Sequence, residues 1–329
     1  ATLFMRASDT ERTDVFQVKL TPGKTIKVQV IRDLQTQAIA PFSIITYYWR
    51  LSDSNNKVFT SDEYQYIYDD TRFSWQTIKR GAIVAHWYNA DIAFGQYIAD
   101  TGFQGLERVA RFINAPKPPR IDIYVYANIN DLQAGLKLGG RTWVGGHADP
   151  KIGVVMVTAP ADAINRLSLE RDIPHELAHI LIYQATRAGY DRMPVWLDEG
   201  IAVNAELQPR SDFTVALDDA VKRDALIPLS SLCGSFSTDI NRALLGYAES
   251  ASAVRYILDR YGSARVSELL EAYRDGATCE GGVQRVLNLS LNELQSEWQQ
   301  EALNSNPYTK FLKDNGVLCL PYIPVMLII

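Results

Sequence analysis

His175-Glu176-Leu177-Ala178-His179 places two imidazoles four residues apart. On a helix, residues at that spacing share a face, so both rings can meet at one ion. Ile173, Leu177, Ile180 and Leu181 recur around them at helical spacing. Neutral imidazole is a good zinc ligand. Glu176, beside the first histidine, is placed to reach water on the ion rather than the ion itself. With 4 His and 14 Glu in 329 residues, chance yields this pattern at a level of roughly 0.2%. Pro174 is tolerated near a helix start, so the helix is expected to begin near Asp172 or to kink there.

Catalytic zinc takes three protein ligands and keeps one position open. Downstream lies Pro194-Val195-Trp196-Leu197-Asp198-Glu199-Gly200-Ile201-Ala202. A loop through Gly189–Met193 would return a second helix antiparallel to the first and present Glu199. Asp198 and Glu206 are rivals on spacing. Asp198 also suits an N-cap or first-turn position. Glu206, on the face of Glu199, has two further readings: it orients a ligand imidazole, because such rings donate their second N–H to a carboxylate or carbonyl, or it is a solvated acid.

HELAH followed by PVWLDEGIA resembles the gluzincin pattern, and more closely the bacterial peptidase MA-like metallohydrolases. Softer matches extend the likeness through Tyr47–Asp53, Tyr68–Trp75, His86–Tyr88, Trp143–Gly146 and Gly246–Ser252. The resemblance implies one zinc ion per chain held by His175, His179 and Glu199, with Glu176 as general base in peptide hydrolysis. It also implies an oxyanion donor. His179 is the last histidine in the chain, so the aminopeptidase-type arrangement, with a tyrosine, applies. Tyr247 is the candidate, with Tyr183, Tyr190 and Tyr256 as rivals. In that type a glycine-rich loop before an edge strand binds substrate, and the strand pairs with the substrate backbone. By position, Gly145, Gly146 and His147 before the expected strand Gly153–Val157 would play this part. Asp149 matches poorly the acid that holds a substrate N-terminus, which speaks against exopeptidase action. Two other readings keep the zinc: a catalytically inactive binding or adhesion module, and an amidase acting on cell-wall amides.

Other residues read as structural. His86 lies in mid-strand beside Trp87. Arg255 suits an ion pair better than a substrate carboxylate.

The elements that must position these groups fall into two patterns. The first 80 residues alternate apolar and polar in strand fashion: Val15–Leu20, a turn at Pro22-Gly23, Ile26–Ile31, Ser43–Leu51, and a returning partner Val58–Tyr68. A β-sandwich-like N-terminal domain over residues 1–78 is expected. From there the sequence predicts a strand at Ala82–Tyr88, a helix at Asp91–Ile113 stopped by Pro116, Pro118 and Pro119, a strand at Ile121–Tyr126, and a helix at Asn130–Leu136. After Gly153–Val157 the pattern is helical to Asn304. The fold class is α+β. The resemblance implies a gluzincin-type catalytic domain over 79–310, with a mixed sheet carrying an antiparallel edge strand and then a mostly helical half.

Residues 311–329 form an apolar tail. It reads as a terminal strand or as the first half of a membrane anchor that residues beyond Ile329 would complete. Residues 1–9 are too short and polar for a signal peptide, so export would imply a leader already removed. The net charge of −5, 47% hydrophobic and 22% charged residues exclude a basic nucleic-acid face, long disorder and coiled coil. The resemblance implies a peptide or protein substrate as partner; the composition implies no nucleic acid, and the chain is expected to be a monomer. Cys233, Cys279 and Cys319 form no CxxC pair, so a cysteine zinc knuckle is not expected. Cys233 and Cys279 would pair in an oxidising compartment, or all three stay as isolated thiols. With the family resemblance and the tail, this points to a bacterial extracellular or cell-surface location.

Overall fold

The computed structural model describes residues 1–303 except 9, 22, 34–38, 40, 54, 56, 137–145 and 160–165. Trp143–Gly145, the apolar tail and Cys319 lie outside the described residues. The chain forms two compact units, residues 1–190 with 201–209, and residues 191–200 with 210–329.

The first unit begins with an antiparallel sheet of β1 (Thr2–Ala7), β2 (Asp14–Gln17), β3 (Ile44–Ser52), β4 (Val58–Thr60) and β5 (Tyr64–Ile67). Its order is β2-β1-β3-β4, with β5 also on β3. The expected sandwich is thus one sheet among the described residues. Val58–Tyr68 divides into two short strands, for a local reason. Ser61 N–H donates to the Trp49 carbonyl at 2.9 Å, while the Ser61 hydroxyl accepts from Trp49 N–H at 2.9 Å. A side chain has replaced one backbone rung of the ladder.

Ile26–Ile31 is a correction: these residues are not a strand. Both edges of β1 are taken, by β2 and β3, and among the described residues the segment finds no partner ladder. Ile31 is 82% exposed. Alternation marks a strand only where a neighbour supplies hydrogen bonds.

The second sheet has the order β6-β7-β8-β10-β9, from β6 (Gln76–Arg80), β7 (Ile83–Trp87), β8 (Ile121–Tyr126), β9 (Gly146–Asp149) and β10 (Val154–Thr158). The inner pairs β7·β8 and β8·β10 are parallel, and both edge strands are antiparallel. The inner strands read IVAHW, IDIYVY and VVMVT and are buried almost throughout, as parallel strands covered on both faces must be. β6 starts at Gln76, so residue 78 falls inside a strand of this second sheet. Phe42, with φ +66°, stacks on Tyr124 of β8 with ring centroids 3.5 Å apart. That contact fastens the first sheet to the second and holds a backbone conformation that a phenylalanine rarely adopts.

Two helices complete this layer. α1 (Ile92–Phe112) is capped by the Asp91 carboxylate, which accepts from Phe94 N–H. The short α2 (Ile129–Leu136) covers the end of β8 and β10. α3 (Arg166–Thr186) carries the two histidines and contains Pro174. It starts six residues before the expected Asp172 and runs through the proline. α1 and α3 approach closely because Gly105 lacks a side chain. A Cβ there would lie 2.9 Å from the Pro174 ring.

Helix α4 (Val195–Ala205) contributes its first six residues to the second unit and the rest to the first. The second unit continues with α5 (Ser211–Lys222), α6 (Ile240–Tyr261), α7 (Ser263–Arg274), α8 (Cys279–Leu287) and α9 (Leu291–Trp298). Cys233 and Cys279 form a disulfide. The Cys233 carbonyl accepts from Val195 N–H at 3.1 Å, at the start of α4. No helix of the described residues is long and apolar enough to cross a membrane.

Glu249 on α6 is fully buried. Its Oε1 accepts from Ile227 N–H at 2.9 Å, and its Oε2 has no partner among the described residues. Burial pushes its carboxyl up to about 7, against the opposing pull of the Ile227 hydrogen bond and Arg242. In the unfolded chain the group titrates near 4.5, so the folded state binds the proton more tightly. Its contribution is therefore full below that pH and is lost as pH rises to about 7. The full span is at most roughly 3 kcal/mol. Glu249→Gln should flatten this part of the profile and be more stable than wild type at pH 8. Denaturant unfolding of both proteins at pH 5 and pH 8 measures it; equal pH dependence in the two would refute the assignment.

Candidate metal centre

The first ring is held from behind. His175 Nδ1 lies 3.3 Å from Oε1 of Glu206, which is 4% exposed. A carboxylate only accepts, so Nδ1 carries the proton and Nε2 is the nitrogen left for a metal. Glu206 follows the last residue of α4, and its N–H donates to the Val203 carbonyl.

The second ring, His179, stands one turn on, with ring centroids 5.1 Å apart. One ring nitrogen each of His175 and His179 and one carboxylate oxygen of Glu199 lie within 4.8 Å of one another, and all three residues are half-buried. Tetrahedral zinc ligands at about 2.1 Å from the ion stand about 3.4 Å apart. Two imidazoles and one carboxylate are also a donor set zinc accepts. The three residues could hold a metal ion, and their donor set suits zinc. Of the three acids weighed on spacing, Glu199 is the one gathered with the histidines. Asp198 sits in the first turn of α4, and Glu206 stands behind His175.

Glu176 faces the edge strand of the second sheet. A Cβ at Gly146 would lie 2.8 Å from Glu176 Oε1 and 3.2 Å from its Cγ. Only hydrogen fits between them. His147 follows on β9, opposite Met156 of β10. Burial pushes its imidazole below the ordinary value; nearby His179 acts the same way and Asp149 opposes.

These positions correct one expectation. Gly153–Val157 was expected to be the strand that receives a substrate. As β10 it has β8 on one side and β9 on the other, so its backbone groups are spent. Among the described residues the outer edge belongs to β9, which carries Gly146 and His147 themselves.

Tyr247 lies in mid-helix on α6, half-buried, with its ring edge-on to Phe236 at 5.0 Å. Tyr256 donates to Glu297, and Tyr183 packs edge-on against Tyr190. Arg255 pairs with Asp259 one turn along its helix. His86 is buried between Thr77, Asp122 and the Tyr124 ring.

Paired histidines on one helix and an acid on the next make a donor set that could hold a metal ion. Residues 101–304, more than half of the chain, match the Peptidase MA superfamily, and the chain belongs to that superfamily. This makes the protein metallopeptidase-like at the level of the superfamily. Curated proteins yield no match.

Sequence reasoning missed the contact between Gly146 and Glu176, which joins residues 30 positions apart across a sheet edge. It also missed the use of the Glu170 carbonyl described below, although Pro174 was its visible signal.

Proposed function

We propose that the protein is a zinc-dependent peptidase. His175, His179 and Glu199 bind one zinc ion per chain, and Glu176 is the general base. The convergence of those three ligands carries the reading. Zinc bound there would supply Lewis acidity, polarising a scissile carbonyl and acidifying water. Glu176, excluded from the ligand set and turned toward β9, takes the proton from the attacking water and returns it to the leaving amine. An extended substrate would add to the outer edge of β9, where Gly146 lets Glu176 lie directly against the strand and His147 follows it. Gly145 precedes Gly146 and extends the same assignment. Tyr247 is proposed as the oxyanion donor on its hydroxyl chemistry.

The catalytic domain is proposed to begin at β6 rather than at residue 79, with the first sheet before it as an N-terminal module. An extracellular or cell-surface setting belongs to the same proposal, and the Cys233–Cys279 disulfide supports it, since such bonds persist in oxidising compartments.

Elemental analysis of the purified protein tests the metal assignment. We expect about one zinc per chain, lost in His179→Ala, which removes one of three protein ligands. No zinc in wild type after reconstitution at neutral pH would overturn the proposal.

A further inference from the structure

Pro174 interrupts α3 directly before the first histidine. Inside a helix, the N–H of residue 174 would donate to the carbonyl of Glu170. Proline has no N–H, so that carbonyl is left to other donors. It accepts from Leu207 N–H at 2.9 Å. The same residue grips the neighbouring chain with its side chain: Glu170 Oε2 accepts from Gln208 Nε2 at 2.6 Å, while Oε1 accepts from the Tyr97 hydroxyl at 2.6 Å. Arg171 Nη2 donates to the Pro209 carbonyl at 2.6 Å, and Arg108 Nε donates to the Asn204 carbonyl at 3.2 Å. The segment 204–209 is thus stitched onto α1 and α3. In its middle stands Glu206, with its carboxylate on His175 Nδ1.

We propose that Pro174 is a positioning residue for the metal ligand His175: by leaving the Glu170 carbonyl open to Leu207, it anchors the segment that holds Glu206 against the imidazole. This rests on the zinc reading above. An alanine at 174 restores the helical N–H, which competes for the Glu170 carbonyl from within its own helix. Leu207 is displaced, the segment loosens, and His175 loses a fixed ring orientation. The Pro174 ring also packs on Gly105, so a purely structural role must be separated from this one.

A double-mutant cycle on zinc affinity does so, measured by competition with a chromogenic chelator. Pro174→Ala should weaken zinc binding about 10-fold, the lower end of what loss of a ligand-orienting partner costs. In a Glu206→Ala background the same substitution should change affinity less than about 2-fold, because the path through Glu206 is already cut. Equal weakening in both backgrounds, or none in either, overturns the proposal. If Pro174→Ala does not fold, Leu207→Pro, which removes the N–H that donates to the Glu170 carbonyl and leaves α3 unchanged, should repeat the pattern. Amide exchange is read without metal. The Leu207 amide should be protected in wild type, like those in the middle of α3, and exposed in Pro174→Ala. A freely exchanging Leu207 in wild type overturns the hydrogen bond itself. Absence of zinc binding in wild type would instead refute the metal reading, leaving this exchange result to stand alone.

Discussion

Glu176→Gln is expected to lower peptide hydrolysis by about 10²- to 10⁴-fold, the contribution of a positioned general base. Zinc content should stay at the wild-type level. The two halves of the outcome come from different atoms. The ligand atoms belong to His175, His179 and Glu199, and Glu176 is not among them. Glutamine is nearly isosteric with glutamate, so it fits the same space beside Gly146, where a single Cβ would already meet the side chain at 2.8 Å. An amide cannot take the proton from water, and the base is lost while the site remains. Hydrolysis of a denatured-protein panel by the two purified forms, with zinc measured in the same preparations, gives the result. An active Glu176→Gln protein would remove Glu176 from the mechanism. A biological function untouched by it would favour a binding role for the zinc site.

Reduction of the Cys233–Cys279 disulfide is expected to destabilise the second unit by up to about 4 kcal/mol, the chain-entropy value for cross-linked residues 46 positions apart. For a unit of this size the melting temperature should fall by up to roughly 15 °C. The bond does more than close a loop, since the Cys233 carbonyl holds Val195 N–H at the first turn of α4. Glu199 sits on that helix one turn later. Reduction should therefore weaken zinc retention as well as stability, which Cys279→Ser would reproduce. Scanning calorimetry with and without reductant measures the first effect, and a thiol count on denatured protein checks the bond. Of 3 cysteines, one should react before reduction and all of them after it. Identical melting in both conditions would refute the contribution assigned here.

Local chemistry was legible in the residues by themselves. The histidines had to share a face because helical spacing is a covalent consequence of the backbone. Their pairing with a carboxylate was legible as a need; the loop and second helix favoured Glu199 over its rivals Asp198 and Glu206, and the resemblance strengthened that choice. The buried parallel strands β7, β8 and β10 also announced themselves as apolar runs. In contrast, Ile26–Ile31 carried a good strand pattern and formed none, since alternation describes a side-chain preference and a ladder requires a partner.

Three decisions belonged to the tertiary structure alone. Which strand forms the outer edge depends on sheet order, and only the placement of β9 outside β10 moves the substrate-binding proposal from Gly153–Val157 to Gly146–Asp149. α3 runs through Pro174, and the Glu170 carbonyl that the proline cannot use finds its donor 33 residues later than the proline, in the N–H of Leu207. Glu206 became the partner of His175, rather than a metal ligand, through the same long-range stitching. Spacing along a chain determines which groups share a face of one element. Which groups meet across elements is set by packing and by the requirement that every buried backbone group find a partner, and neither is written in any single stretch of the sequence.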